Sequence, residues 1–299
     1  MTPLLGPRRR GRPPAPFVVG VGRSGTTLLR LMLDSHPELA IPPETHFLPE
    51  LIDRAAGGGG AAELGDVVVG ARTWADFGLA EAELRERLER AESSVASVAR
   101  AFYALYAERQ GKPRWGDKTP IYVKHMRAIG GELDEARFVH LIRDGRDVAL
   151  SRRRRGMGAG KPISNTAERW RKRIELARRQ SRRLAGRYLE LRYEDLVADP
   201  EPALRLICEL CELEFDPAML AHHERAEERL GELSGGLAAT DGRRGRSGEE
   251  RISSHALAKR AASAERVGVW RTEMSATDRE EFEAAAGDLL AELGYDVSI

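Results

Sequence analysis

The segment of greatest chemical potential is Gly20-Val21-Gly22-Arg23-Ser24-Gly25-Thr26-Thr27. Glycines let a backbone turn tightly and aim several N–H groups inward. A helix opening after Gly25 adds partial positive charge at its N-terminus. Arg23 supplies a cation, and Ser24, Thr26 and Thr27 supply hydroxyls. An anion such as a phosphate is the natural guest. The Gly20-x4-Gly25 spacing matches a nucleoside-triphosphate loop. Thr26, however, stands where that loop needs the lysine that reaches the β- and γ-phosphates. Asp144 lies between Arg143 and Arg146, a poor place for a metal ligand and a good one for a helix cap. No metal site is expected, and a metal-dependent nucleotide kinase is the weaker alternative.

A second anion-binding pair lies farther on. Arg143 ends an apolar run, Asp144 is placed to cap the next helix, and Asp147 to complete a capping box. Ser151 comes seven residues after Asp144, about two helical turns, so it returns to the same side. Arg143 and Ser151 therefore converge on one anion, the first through a guanidinium fork and the second through a hydroxyl. Glu44 follows two prolines after the apolar stretch Leu39–Ile41, and by itself reads as a loop carboxylate. Lys118, just before Pro120 at a helix start, is disfavoured there by the helix dipole unless it has a partner.

The block PFVVGVGRSGTTLLRLMLDSHPELAIPPETHFLPEL resembles the phosphosulfate loop of the sulfotransferase superfamily, closest in style to its tyrosylprotein and bacterial branches. RFVHLIRDGRDVALSRRRRG resembles that family's 3′-phosphate-binding strand and helix, and WGDKTP, LRYEDLVADP and VGVWRTEMS extend the likeness over about residues 16–294. The resemblance implies sulfuryl transfer from 3′-phosphoadenosine 5′-phosphosulfate to an acceptor hydroxyl or amine, without a metal. It implies Glu44 as general base, with His46 as a rival base or acceptor contact. It places Lys118 on the bridging or sulfuryl oxygens, oriented by Asp117, and Arg23 on the phosphosulfate. Ser24, Gly25, Thr26, Thr27, Arg143 and Ser151 would hold the nucleotide, and Tyr193 would close its side. One departure stands out: the Arg-Lys-Gly element of the cytosolic branch is absent before Val267-Gly268-Val269-Trp270; Arg266 or Arg271 would replace the lost contacts, and Arg266 and Trp270 are the cofactor-binding residues expected at that end. A non-catalytic nucleotide-binding protein on the same fold is the other alternative.

These residues need a frame. Phe17–Val21, Arg137–Ile142 and Tyr188–Leu191 read as buried strands, each followed by a helical pattern. Helices are expected at Gly25–Ser35, Glu81–Glu92, Ser93–Gln110, from Gly145, and at Asn165–Ala185, with Asp199 capping another at Pro200. Thr277 with Glu280 forms a capping box for a last helix whose apolar stripe runs from Phe282 to Leu293, and Gly294 stops it. Ala55–Ala62 and Ser234–Glu250 read as flexible loops. Strands alternating with helices predict an α/β fold, a P-loop-like parallel sheet flanked by helices, as one domain over residues 16–299 with helical additions. Residues 1–15, rich in Arg and Pro, read as a disordered tail.

The chain has 299 residues, enough to bury a sizeable core, and its net charge of +1 gives no reason to expect nucleic acid as the main partner. Its cations are 42 Arg and six Lys, and the Arg-rich helix from 169 to 183, like Arg152–Arg155, reads as a solvated face. Cys208 and Cys211 fall on an apolar helical stripe and read as core, which fits a reducing, cytoplasmic setting. His36, His125 and His140 read as structural. No stretch approaches the roughly 20 apolar residues of a membrane helix. The acceptor, whether small molecule, sugar or peptide, falls to variable loops, including residues 45–75 and 234–260.

Overall fold

A computed structural model describes residues 11–239 and 245–297. Residues 1–10 of the expected tail, and 240–244 of an expected loop, lie outside that range. β1 (Ala15–Gly20) and α1 (Thr26–Asp34) flank the glycine-rich loop, and β2 (Leu39–Ala40) leads towards Glu44. A helical layer follows: α2 (Leu48–Ala56), α3 (Ala61–Val69), α4 (Glu81–Glu89) and α5 (Val95–Arg109). Then come β3 (Arg114–Trp115), β4 (Asp117–Lys118), α6 (Met126–Glu132), β5 (Ala136–Ile142), α7 (Gly145–Arg153) and α8 (Ser164–Ser181). The chain continues through β6 (Tyr188–Arg192), α9 (Tyr193–Ala198), α10 (Pro200–Leu210), α11 (Ala226–Gly231), α12 (Gly248–Ser253), α13 (Trp270–Glu273) and α14 (Ala276–Glu292).

The central sheet has the order β4-β1-β5-β6, with every pairing parallel. Parallel strands joined by crossovers need cover on both faces, and the residues supply it by alternation. Ala15, Phe17, Val19 and Phe138 face the helical layer of α2–α6, while Val18, Val139 and Leu141 face α1, α9 and α10. A third cluster, with Val21, Ile142, Trp170 and Phe282, packs α7, α8 and α14 at the carboxyl edge. Because all four strands run the same way, the glycine-rich loop, Lys118, Arg143 and Tyr193 all emerge at that one edge, where open α/β sheets bind ligands. β2 pairs with β3, and Gly116 N–H donates to Ala40 O (2.9 Å), which sets the Glu44 segment beside β4.

Some boundaries differ from expectation for local reasons. α8 ends at Ser181 rather than Ala185, where the Ser181 hydroxyl turns back onto the Arg178 carbonyl (2.9 Å). α14 is capped by Ser275, not Thr277: Ser275 has the extended backbone a cap needs and accepts from Asp278 N–H (3.1 Å). Its end is as expected, with Gly294 at φ 76 and Tyr295 N–H returning to Leu290 O (2.9 Å). The expected loop at 55–62 shrinks to the four glycines between α2 and α3. Part of the 234–250 loop is ordered: Leu237 and Arg246 pair in both directions (2.8 and 2.9 Å), and Ser247 with Glu250 forms a capping box for α12. Cys208 and Cys211 are buried free thiols. Among the described residues no helix is long and apolar enough to cross a membrane.

Candidate active site

The glycine-rich loop leaves the sheet at Gly20 and enters α1 at Gly25. Gly25 has φ 91, and a side chain there would overlap the Tyr193 ring, so only glycine fits. As N-cap it offers no side chain to the first turn of α1, so the orphan N–H groups of that turn are left for an incoming acceptor. The Ser24 hydroxyl is buried with no hydrogen-bond partner. Arg23 is held in the left-handed region at φ 81. Its Nε donates to Ser151 Oγ (3.2 Å), and its Nη2 donates to Ser254 O (3.3 Å). Burial, then the charges of Arg155 and Arg143, pull its pKa down to about 10. A buried donor set, an uncapped helix start and crowded cations together fit an anionic ligand.

Arg143 leaves β5 next to this loop. Its Nη1 donates to Arg23 O (3.3 Å), Nη2 donates to Arg266 O, and the guanidinium lies 4.7 Å from the Tyr193 ring centre. Its Nε is buried and unpartnered. Arg143 and Ser151 thus flank Arg23 and line one cleft of about 780 Å³ with Thr26, Thr27 and Glu44. Asp144 caps α7 as expected, accepting from Arg146 N–H (2.9 Å), but Asp147 does not complete a capping box. Its carboxylate instead accepts from Gly268 N–H (2.8 Å) and Trp270 N–H (3.0 Å), binding the VGVW segment to α7. Arg266 lines the cleft; Trp270 does not, because its ring lies under Arg146 (3.5 Å) in the body of the protein. Arg271 pairs with Asp296 (2.6 Å).

Across the cleft, Lys118 Nζ lies 2.7 Å from Glu44 Oε1 and 3.4 Å from Thr27 Oγ1, while His46 Nε2 lies 3.1 Å from Glu44 Oε2. Lys118 is 4% exposed, whereas Glu44 and His46 keep about a third of their side chains open (33% and 38%). Burial pushes the Glu44 carboxyl up, but Lys118 and then His46 outweigh it and hold it well below the usual range. Burial lowers the Lys118 pKa despite Glu44.

Asp117 does not orient Lys118. Adjacent strand residues point to opposite faces, so Asp117 turns into the core. There it accepts from Thr45 Oγ1 (2.7 Å) and Tyr103 OH (3.0 Å), and burial raises its pKa to about 6. Thr45 also meets Tyr122 OH (2.8 Å), and Thr119 Oγ1 accepts from its N–H (2.9 Å). With Thr45 pinned inwards and His46 at φ 60, Glu44 lines the cleft and the His46 ring lies against its carboxylate.

Sequence reasoning missed Ser254, His255 and the true role of Asp147. His255 lines the cleft, and burial followed by Lys118 and Arg23 lowers its pKa to about 3. Nothing in its neighbourhood in the chain marked it; only the Ser247-x-x-Glu250 box, an available start signal for α12, pointed to order there. The Arg-rich α8 divides in two. Arg171 and Arg178 pair with Asp288, Glu190 and Glu292. Arg169 and Arg173, with Arg152, have no carboxylate partner among the described residues, and Arg152 and Arg173 line the cleft. His36 and His140 are tied to Glu214 O (2.8 Å) and Tyr188 OH (2.7 Å). Among the described residues no group of three or more His, Cys, Asp or Glu side chains is placed to hold a metal ion.

A family model described as "Sulfotransferase family" matches residues 14–217. Protein-tyrosine sulfotransferase 1 of Danio rerio is 28% identical over 232 residues, covering 74% of this chain and 59% of that protein. The Drosophila melanogaster protein-tyrosine sulfotransferase is 27% identical over 217 residues, covering 71% and 40%. The chain thus spans about half the length of these relatives. Among solved structures, the sulfotransferase domain of the Synechococcus PCC 7002 olefin synthase is 26% identical with a TM-score of 0.60, and each chain is covered to 98%. The sulfotransferase domain from the curacin biosynthetic pathway shares the fold, with a TM-score of 0.63 at 22% identity over 96% of this chain and 99% of that one.

Proposed function

The chain belongs to the sulfotransferase family, and we propose that it moves a sulfuryl group from 3′-phosphoadenosine 5′-phosphosulfate to an acceptor hydroxyl. The observation that carries this reading is the contact of Lys118 with both Glu44 (2.7 Å) and Thr27 (3.4 Å). One ammonium thereby links the anion-binding loop to a carboxylate facing open cleft.

When bound, the donor supplies an activated sulfuryl group at the loop end and a 3′-phosphate at the Arg143–Ser151 end. The first-turn amides of α1, with Ser24, Thr26 and Thr27, would hold the phosphosulfate; Arg143 and Ser151 would hold the 3′-phosphate. Arg23, already between them, would neutralise charge on the leaving phosphate. Lys118 is drawn from Glu44 towards a new anion at Thr27, and that withdrawal leaves Glu44 a stronger base. Glu44 then takes the acceptor proton, with His46 Nε2 beside its other oxygen (3.1 Å). Arg266 and Tyr193 close the nucleotide side, with Asp147 and Trp270 anchoring the segment behind them.

The relatives' names make a tyrosyl hydroxyl the first acceptor to test, and Arg152 and Arg173, which line the cleft with no carboxylate partner among the described residues, give reason to include an acidic peptide. The test incubates the protein with donor and with an acidic tyrosyl peptide, phenol or a primary alcohol, following 3′-phosphoadenosine 5′-phosphate and sulfated product. Transfer that falls about a hundredfold or more in Glu44→Gln supports the reading. Tight binding of the nucleotide product with no transfer to any hydroxyl would mark a non-catalytic binding protein instead.

A further inference from the structure

α12 brings a segment to the cleft whose placement depends on the same anchor as Glu44. Arg251 of α12 is buried and forks onto buried Asp76, with Nη1 at 2.7 Å from Oδ1, and the same Nη1 donates to Gly235 O (2.7 Å). Gly248 opens the helix so close to the Ser234 carbonyl that any side chain would overlap it. Asp76 lies in the short turn Trp74–Phe77, and Thr73, just before that turn, donates to the Thr45 carbonyl (3.3 Å). Thr45 is the residue pinned between Glu44 and His46. Two walls of the cleft therefore share one buried reference point.

Beyond α12, Ser254 Oγ donates to Arg251 O (2.6 Å), and Ser254 O accepts from Arg23 (3.3 Å). The next residue is His255, which lines the cleft with Glu44 and Arg23. No described residue hydrogen-bonds its ring. We infer that His255 binds the acceptor hydroxyl and orients it towards Glu44, and that Asp76 and Arg251 are the positioning pair that holds it there. The inference rests on the sulfuryl-transfer reading above. A neutral imidazole offers one acceptor and one donor nitrogen. Burial and the neighbouring cations keep His255 neutral across the working pH range, so its free nitrogen is open to an O–H donor.

The test measures product-nucleotide affinity by calorimetry and nucleotide release from the donor, with phenol as acceptor probe and with water alone. The wild type binding no 3′-phosphoadenosine 5′-phosphate would defeat the parent reading, separately from this one. With that binding intact, His255→Ala lowers release by about tenfold to a hundredfold in both conditions while nucleotide affinity stays within about twofold. His255→Asn, which keeps a donor and an acceptor, restores part of the rate. Asp76→Asn, checked for folding by thermal melting, raises KM for phenol more than it lowers kcat. Unchanged release in His255→Ala overturns the inference, and so does a loss of nucleotide affinity that matches the loss of rate.

Discussion

At the scale of single residues, the site sets two carboxylates against each other. Glu44 is held ionised by Lys118 and His46, whereas Asp117, one residue from that lysine, is pushed up by burial to about 6. Glu44→Gln should therefore lose turnover by about 10²–10⁴-fold and keep its nucleotide affinity, read by steady-state kinetics and calorimetry. The pH dependence of stability separates the pair. A depressed carboxyl such as Glu44 contributes stability above its ordinary value of 4.5, and that contribution is lost as pH falls. Asp117 has the opposite sign: its contribution is full below 3.8 and lost as pH rises through about 6. Asp117→Asn should thus gain on the wild type between pH 4 and 7, by on the order of 3 kcal/mol, in denaturant melts at a series of pH values. A constant difference would show that Asp117 does not titrate in that window.

At the scale of elements, the anion-binding loop depends on one glycine. Gly25→Ala adds a methyl against Tyr193 at a left-handed position, so it should cost about 2 kcal/mol or more of stability and abolish the thermal shift on adding nucleotide. An unchanged shift would contradict the packing described for that turn. This loop was legible in the sequence because its meaning is local: strand, glycines and helix start are neighbours in the chain. That Arg143 and Ser151 lie on one side was legible for a similar reason: Arg143 follows β5, and Ser151 sits two helical turns past the Asp144 cap of α7. The Thr45–Asp117 and Asp76–Arg251 contacts were not, since each joins residues far apart in sequence. Asp147 misled in an instructive way. Three residues after a cap it looks like a capping-box partner, but its carboxylate serves two distant amides at Gly268 and Trp270. Asp147→Ala should weaken nucleotide binding about tenfold by loosening that segment, with kcat at saturation largely kept.

At the scale of the whole molecule, four parallel strands deliver the glycine-rich loop, Lys118, Arg143 and Tyr193 to one edge of the sheet. The loop after β1 and the Arg143–Ser151 pair after β5 come from adjacent strands and meet at Arg23, which contacts both Ser151 and the Arg143 side chain. In the proposed reading, a single nucleotide phosphorylated at both ends would occupy both places. The most direct measurement is calorimetry of 3′-phosphoadenosine 5′-phosphate against AMP on the wild type and on Arg143→Ala. The doubly phosphorylated nucleotide should bind at least about 30-fold tighter, and Arg143→Ala should erase most of that difference, as expected for a lost charge-assisted contact of about 2 kcal/mol. Equal affinity for the two nucleotides, or a preference that survives Arg143→Ala, would contradict the assignment of the two ends.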